Sequence, residues 1–437
     1  MTLLEDASRR TTAAARTGTA FWLAGVSAAA RAPGFLIPVI VGAVFGAGPS
    51  TDAYFLAYGA VLLVGGTLGQ SVEVSIVPFA AHALAQGQDR GFFDRKALKV
   101  ALGAGGLWTL VVPVLLLLTG SLRGAVFGFA LSFLPLAVMW GAAAVYAGGL
   151  VSQGRIAAST GSMLWRGAGG LAGFALAPAG GGLWAVAIGL GAGEAVRLVW
   201  VRRLLFSRTG LGGHGPDVVL ASSFRGAAGS MVVAGITGTA VPMVEKLLAA
   251  SLGAGAVSHL EYAVRLLMVP AVLFDGALAP LLLSRLSREQ AVQGAAPSLR
   301  RAVAAVVTGG GVAVAVAAGL ALLAPFVVTV VLAHGRFDVA DVEVVSRILR
   351  WLSIGFAAAM TSLLVERIYL AAARNRTIAM LNLPRGAVRL LVAVLLLPSH
   401  GLMAFPFGYA AGEICYLGCL IGLAPRGPRG AARARAA

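Results

Sequence analysis

Apolar segments long enough to cross a lipid bilayer follow one another along the whole chain. A helix needs about 20 mainly apolar residues to span the hydrocarbon, and twelve segments reach that length. They run over residues 18–46, 52–82, 97–119, 124–150, 157–178, 181–203, 221–250, 256–284, 302–332, 345–373, 377–398 and 401–423. The pattern predicts an all-α integral membrane protein with about 12 transmembrane helices.

Basic residues gather in alternate connecting segments. They precede the first predicted helix and follow every second helix after it, as at Arg95, Arg155 and Arg374. The segments in between hold little positive charge, and Arg123 and Arg336 are their basic residues. Because cytoplasmic loops carry the excess of Lys and Arg, both termini are predicted to be cytoplasmic. An even number of helices agrees with that orientation.

The composition excludes several broad classes of protein. The 437 residues are 59% hydrophobic and 12% charged, with a mean hydropathy of +0.88, whereas a soluble domain carries about 25% charged residues. This excludes a soluble enzyme and a disordered chain. The net charge of +17 is spread over short segments between apolar runs. We therefore attribute it to topology and anionic lipid contact, and not to nucleic acid.

The sequence lacks the familiar catalytic and metal-binding patterns. It contains no Gly-Lys-Ser/Thr phosphate-binding loop for ATP hydrolysis and no His, Cys and carboxylate spacing typical of a metal site. The hydrophilic connecting segments are shorter than twenty residues, so none is expected to fold as a domain. The sequence predicts a protein that is not an enzyme and has no resident cofactor.

A weak internal repeat divides the chain into two halves of six predicted helices. A Gly-Ala-Gly turn ends the first helix of each half, at 46–48 and at 253–255, and the turns are 207 residues apart. An even number of helices per half makes the halves parallel, and transporters of this kind bind substrate between them. The predicted organisation is an N-terminal lobe over 1–205, a cytoplasmic linker over 206–220, a C-terminal lobe over 221–423 and a basic cytoplasmic tail over 424–437.

Charged residues inside the predicted helices are the candidates for function. A charge near the bilayer centre costs at least about 2.5 kcal/mol and usually faces a wet cavity or a partner. Glu261, Arg265 and Asp275 share one face of the eighth predicted helix, and Arg31 lies midway along the first. The residues expected to line a substrate cavity are Arg31, Glu73, Glu245, Lys246, Glu261, Arg265 and Asp275.

Internal ion pairing is the alternative interpretation of the same charges. Glu261 and Arg265 are four residues apart and can neutralise each other on one helix. Arg385 and Arg389 on the eleventh predicted helix lie at similar depths to Glu413 on the twelfth. For these three residues, a structural pair between the two helices is the favoured interpretation.

Three stretches resemble the signatures of one known family. Arg31-Ala32-Pro33-Gly34-Phe35, continued by the turn at 45–48 and by Thr51-Asp52-Ala53-Tyr54-Phe55, resembles the first-helix signature of the MurJ (MviN) lipid II flippase family. The stretch from Ser258 through Arg265 and Pro270 to Ser287 resembles its eighth-helix signature. Ala333-His334-Gly335-Arg336-Phe337 looks like its short periplasmic loop.

This resemblance implies a fold and site residues. The family belongs to the superfamily of multidrug and polysaccharide exporters, with two six-helix lobes around a central V-shaped cavity. The resemblance implies that Arg31, Asp52 and Arg265 occupy important positions, where cavity arginines meet the lipid pyrophosphate. The chain departs from the family at Ile37 and at Gly65-Gly66, where relatives carry basic residues. Several relatives also have two further C-terminal helices.

The combined expectation is a flippase of a bacterial inner membrane. It would move an undecaprenyl-pyrophosphate-linked sugar, with lipid II as the first candidate, to the outer leaflet for cell-wall synthesis by alternating access. Sodium, protons or the membrane potential would drive it, and its partners would be the lipid-linked sugar, membrane lipids and cell-wall synthesis proteins. The alternatives are a cation-coupled drug exporter of the same superfamily, whose cationic substrates favour an acidic cavity, and a non-transporting membrane scaffold.

Overall fold

The protein is helical throughout the part of the chain that the structure describes. This computed structural model describes residues 2–85, 90–177, 181–207, 235–236, 238–274, 278–279, 282, 299–371 and 375–423. Within these ranges every regular element is a helix and there is no strand. The all-α prediction is confirmed. Long apolar segments form helices in lipid because a helix satisfies all of its backbone hydrogen bonds internally.

The helices are numbered here in chain order. They are α1 (Thr2–Phe45), α2 (Pro49–Val61), α3 (Thr67–Ala85), α4 (Arg90–Leu118), α5 (Arg123–Ser152), α6 (Ile156–Gly161), α7 (Met163–Leu176), α8 (Gly182–Phe206), α9 (238–250), α10 (Ala256–Leu273), α11 (Leu299–Leu332), α12 (Val339–Ala371), α13 (Asn375–His400) and α14 (Ala404–Gly422). A π-helical turn, Leu62–Gly66, joins α2 to α3. Single 3-10 turns precede α5 and α14.

Eight stretches of described helix are long and apolar enough to cross a membrane. They are Gly25–Phe45, Pro49–Val77, Gly91–Leu118, Gly120–Ser152, Gly182–Phe206, Val306–Leu332, Val339–Tyr369 and Met380–Gly422. The last covers most of α13 and all of α14. The predicted segment 157–178 is divided between α6 and α7, and 221–234 lies outside the described residues. The chain is thus a multi-pass membrane protein, and the number of twelve crossings stays a prediction.

Contacts within the chain define two compact units. The first comprises Met1–Ile37 and Ala60–Gly235, and the second comprises Pro38–Gly59 and Ile236–Ala437. The end of α1 and most of α2 therefore pack with the C-terminal helices. The lobe boundaries drawn from the sequence repeat stay a prediction.

The helices of the first unit pack both through large buried side chains and through glycines. Ile76, Phe93, Tyr146 and Leu205 come from four different helices and are buried in one hydrophobic cluster. In contrast, α7 and α8 meet through glycines: a Cβ added at Gly173 would press on the backbone of Ala185 and Val186. Glycine is needed at this contact because it lets the two helix backbones approach closely.

The second unit brings together positions that the repeat makes equivalent. Thr51 and Ser258 are 207 residues apart, and their hydroxyl oxygens are 2.9 Å apart. The same spacing relates Phe55 to Tyr262, whose rings meet edge to face at 5.4 Å. One turn further on, the Arg265 guanidinium lies 5.7 Å from the centre of the Tyr58 ring. Three contacts between equivalent residues along α2 and α10 are the arrangement expected of two repeated segments facing each other, which supports the repeat.

Candidate functional site

The structure separates the sequence-predicted site residues into two groups. Arg31 on α1 and Glu73 on α3 belong to the first unit. Asp52, Glu245, Lys246, Glu261 and Arg265 belong to the second unit. Asp275 lies outside the described residues. Among the candidates that the structure describes, Lys246, Glu261 and Arg265 are joined by ion pairs, and we call these three the charge triad.

Glu261 is the centre of the charge triad. Its Oε1 accepts hydrogen bonds from Arg265, 2.8 Å from Nε and 2.5 Å from Nη2. Its Oε2 lies 2.7 Å from the Nζ atom of Lys246 on α9. One carboxylate is therefore shared by two cations, one on its own helix and one on a neighbouring helix. The cluster formed by these three side chains keeps a net charge of +1.

Exposure differs sharply within the charge triad. The side chains of Glu261 and Lys246 are 4% and 7% exposed, whereas that of Arg265 is 23% exposed. The guanidinium of Arg265 also faces the ring of Tyr58, which stabilises a cation without neutralising it. Arg265 is thus the member that a ligand can reach.

Glu245 makes a separate ion pair although it precedes Lys246 in the chain. Neighbouring residues on a helix point about 100° apart, so the two side chains serve different partners. The Glu245 carboxylate receives Arg389 of α13 in a bidentate contact, with 2.6 Å from Nε and 2.5 Å from Nη2. Arg389 also lies over the ring of Tyr409 at 4.9 Å. Glu245 therefore forms an ion pair that links α9 to α13.

The pairing expected between the eleventh and twelfth predicted helices is present for one arginine. Arg385 of α13 contacts Glu413 of α14 with 2.6 Å between Nη2 and Oε1, as the sequence predicts. Arg389 pairs with Glu245 of α9 instead, so it too forms an ion pair between helices, but with a carboxylate outside the expected set. Both arginines lie on α13 four residues apart, and Glu413 accepts from the one that is a turn nearer the start of the helix.

Asp52 joins the two Gly-Ala-Gly turns. Its carboxylate accepts hydrogen bonds from the backbone N–H of Gly255 at 2.6 Å and of Ser258 at 2.8 Å, and from the Ser258 hydroxyl at 2.6 Å. These N–H groups lie at the start of α10, where the backbone N–H groups have no carbonyl acceptor within the helix. Gly255 has a φ of +84°, a conformation that glycine adopts without strain. Asp52 is thus a buried cap supplied by a distant part of the chain.

We expect Asp52→Ala to destabilise the second unit by about 2 kcal/mol, the upper range for losing a helix cap. The reason is that the N–H groups of Gly255 and Ser258 would lose their buried acceptor. Thermal unfolding of purified protein in detergent measures the loss, with Thr51→Ser as the matched control because it keeps a hydroxyl beside the cap. A variant that unfolds at the wild-type temperature yet fails to transport would show instead that Asp52 acts on the substrate.

The predicted cavity residues of the first unit lie on α1 and α3. Glu73 on α3 accepts a hydrogen bond of 3.3 Å from the Ser159 hydroxyl on α6. Arg31 is half-buried on α1, two residues before Pro33. Pro33 packs against α7 at a place where Gly167 leaves room for it. The large charge cluster of the first unit lies on two other helices, α7 and α8.

That cluster was missed from the sequence. Glu194 on α8 is fully buried between Arg166 of α7, 2.6 Å from Nε, and Arg197, 2.9 Å from Nη1. The Arg197 Nε donates to Ser162 at 2.9 Å, and the Arg166 guanidinium stacks on Trp140 at 3.6 Å. Within the described chain one terminal nitrogen of each arginine makes no hydrogen bond. We call Arg166, Glu194 and Arg197 the buried network.

The signal that could have found the buried network was present in the sequence. Glu194 and Arg197 are three residues apart within the predicted segment 181–203, and Arg166 lies within 157–178. The rule that marks Arg31 as an expensive charge applies equally to them. Their i, i+3 spacing also places Glu194 and Arg197 on one helix face.

The chain is similar to known proteins in sequence and in fold. A family model described as "Lipid II flippase MurJ" matches residues 41–430. No curated protein sequence matches the chain. Among solved structures, a lipid II flippase MurJ in an inward closed conformation has a TM-score of 0.78 and 15% identity, over 92% of this chain and 87% of that chain.

Multidrug transporters share the same fold. An inward-facing multidrug resistance MATE family transporter of the MOP superfamily has a TM-score of 0.73 and 13% identity, over 92% of this chain and 100% of that one. An outward-facing transporter of the same description has a TM-score of 0.68 and 14% identity, over 92% and 94% of the two chains. At such low identities these likenesses establish the fold, and the match to the family model establishes the family.

Proposed function

The chain belongs to the family of the lipid II flippase MurJ, and from that premise we propose that it moves an undecaprenyl-pyrophosphate-linked sugar between the leaflets of a membrane. Lipid II is the first candidate for this substrate. The match of the family model over residues 41–430 is the observation that carries the proposal. The chain is accordingly a transporter, and the direction of movement is from the cytoplasmic to the outer leaflet.

The chemistry of this substrate defines what a carrier must supply. A pyrophosphate with a polar sugar cannot enter hydrocarbon unaided, because charged and hydroxyl groups lose their hydrogen bonds to water there. Guanidinium groups replace those hydrogen bonds with charge-assisted ones, often two at a time. The prenyl chain needs no such help and can remain in the lipid while the head group crosses.

We assign the first contact with the pyrophosphate to Arg265, and the same role in the first unit to Arg31. Arg265 is the reachable member of a cluster with a net charge of +1. Arg31 lies within a stretch that resembles a signature of this family and is half-buried on α1. The positive triad favours an anionic substrate over the cationic drugs of the alternative interpretation, which an acidic site would suit better.

We propose that the membrane potential drives transport. Glu245 and Glu261, two of the carboxylates expected to line the cavity, already hold side-chain cations at 2.5–2.7 Å, so they are not vacant sites for a coupling cation. A potential that is negative inside favours outward movement of an anion, by about 2.3 kcal/mol per charge for each 100 mV. A doubly anionic head group would therefore be driven outward without a bound sodium ion or proton.

The proposed location is a bacterial inner membrane with both termini in the cytoplasm. The concentration of basic residues in alternate connecting segments supports this orientation. Reporter fusions after Arg208 and after Arg435 would both be cytoplasmic under this topology. A periplasmic signal at Arg208 would reverse the orientation of the second half.

Rescue of a bacterial strain depleted of its lipid II flippase tests the function most directly. We expect the chain to restore growth and to flip fluorescent lipid II in proteoliposomes. A chain that inserts and folds but fails both assays would be a non-transporting scaffold. Efflux of cationic dyes without lipid II movement would support the drug exporter.

A further inference from the structure

We propose that Glu261 is a resident counter-anion that releases Arg265 to the phosphate groups of the substrate, and that Lys246 is the positioning residue that makes this exchange possible. The inference rests on the proposed function and concerns how the same site is filled when no substrate is bound. It follows from the way in which one carboxylate is shared by two cations of unequal exposure.

The two cations bind different oxygen atoms of the Glu261 carboxylate. Arg265 uses only the Oε1 atom of Glu261, and Lys246 uses only Oε2. Either cation can therefore leave without disturbing the hydrogen bond to the other oxygen. A carboxylate held by a single arginine would lose its entire compensation when that arginine turned to a ligand.

Burial decides which cation leaves. Lys246 and Glu261 are almost completely buried, whereas Arg265 keeps about a quarter of its side chain exposed. Its contacts with Glu261 use Nε and Nη2, so the ion pair does not occupy Nη1, and we infer that an anion meets this nitrogen first. A phosphate group that binds this edge can then take over the remaining nitrogens, since it offers several strong acceptor oxygens.

Lys246 keeps the exchange from leaving a buried charge alone. Breaking a buried ion pair by removing one partner is strongly unfavourable, because the other charge stays uncompensated. When Arg265 turns to the substrate, Glu261 remains 2.7 Å from the Lys246 ammonium and stays neutralised. On release of the substrate, Arg265 pairs with Glu261 again. The empty carrier therefore does not hold an unpaired arginine. Neither the substrate-bound nor the substrate-free state then contains a buried charge without a partner.

The exchange can be tested by changing the net charge of the triad one unit at a time. Full-length protein in lipid nanodiscs would be titrated with undecaprenyl pyrophosphate as the probe. The triad carries +1 in the wild type, 0 in Lys246→Gln, +2 in Glu261→Gln and +1 in the double variant. We expect the affinity to fall about tenfold in Lys246→Gln, to rise about tenfold in Glu261→Gln, and to return close to wild type in the double variant.

Transport gives a second readout that a structural role would not change in this way. Glu261→Gln should bind more tightly but flip more slowly, because nothing competes for Arg265 when the substrate has to leave. The matched control is Arg385→Gln, which removes one partner of another buried carboxylate in the same unit, and it should keep the wild-type affinity. If Glu261→Gln does not fold, the comparison of Lys246→Gln with the double variant still isolates the charge of Glu261.

The outcomes separate this inference from the proposed function. Wild-type affinity in both single variants, with binding lost in Arg265→Ala, would overturn the exchange and leave the flippase intact. Reduced unfolding temperatures that the double variant restores, without any change in affinity, would make the triad purely structural and would also overturn it. Absence of binding and of flipping in the wild type would refute the proposed function itself.

Discussion

Arg265→Ala should abolish flipping of lipid II while the protein still inserts and folds. Loss of charge-assisted hydrogen bonds to the pyrophosphate, at roughly 1.5–3 kcal/mol each, lowers affinity by about 10- to 100-fold for every bond. Arg265 can make two such bonds at once, so transport should fall below the limit of a fluorescent lipid II assay in proteoliposomes. Arg265→Lys keeps the charge but loses the planar fork, and should give intermediate rates.

The expectation that the variant folds comes from the structure. The sequence alone suggests that removing Arg265 would strand Glu261, since the two are one helical turn apart. Lys246 nevertheless lies 2.7 Å from the other carboxylate oxygen, so Glu261 stays paired in Arg265→Ala. The unfolding temperature in detergent should therefore be close to that of the wild type.

A matched control exists on α12. Arg347 and Glu343 form an ion pair with the same four-residue spacing, at 2.6 Å, but both side chains are largely exposed. Arg347→Ala should leave transport unchanged, because an exposed pair of this kind contributes little. If the double variant Arg265→Ala/Glu261→Gln flips lipid II at the wild-type rate, Arg265 is only a structural partner and our assignment is wrong.

Hydropathy predicted the helices well where apolar residues define them. The predicted segment 181–203 corresponds to α8 (Gly182–Phe206), and 302–332 corresponds to α11 (Leu299–Leu332). It failed where a helix continues beyond its apolar part: α1 begins at Thr2, well before the predicted start at residue 18. Hydropathy marks the part of a helix that suits lipid, and polar residues with good helix propensity extend it.

Charge partners were only partly predictable, because spacing identifies partners on one helix but not on another. The pair of Glu261 with Arg265 follows from their spacing of four residues. Lys246 could not be assigned to Glu261, nor Glu245 to Arg389, because the rotation of α9 against its neighbours is set by packing. Asp52 matches a family signature, but the hydrogen bonds that its carboxylate accepts from the N–H groups of Gly255 and Ser258 could be identified only from the folded chain.

The buried network should show the largest effect on stability. Glu194 is fully buried, as is Arg197, and it is the acceptor that Arg166 and Arg197 share. Glu194→Ala leaves two arginines without their counter-charge, and breaking a buried pair costs about 3–5 kcal/mol. Because folded proteins are stable by only about 5–15 kcal/mol, we expect the variant to reach the membrane at a small fraction of the wild-type amount. Fluorescence-detected size-exclusion chromatography of detergent extracts measures this loss.

Apolar replacement of the whole network distinguishes structure from function. A buried ionic cluster can often be exchanged for apolar side chains of similar volume at little cost, so Arg166→Met/Glu194→Leu/Arg197→Met should restore folding. Trp140, on which Arg166 stacks, would then contact a methionine, a favourable neighbour for an aromatic ring. Flipping at the wild-type rate in the triple variant would show that these charges only hold α7 and α8 together. A triple variant that folds without flipping would contradict this and place the network in the transport cycle, because it would have lost its charges without losing its packing.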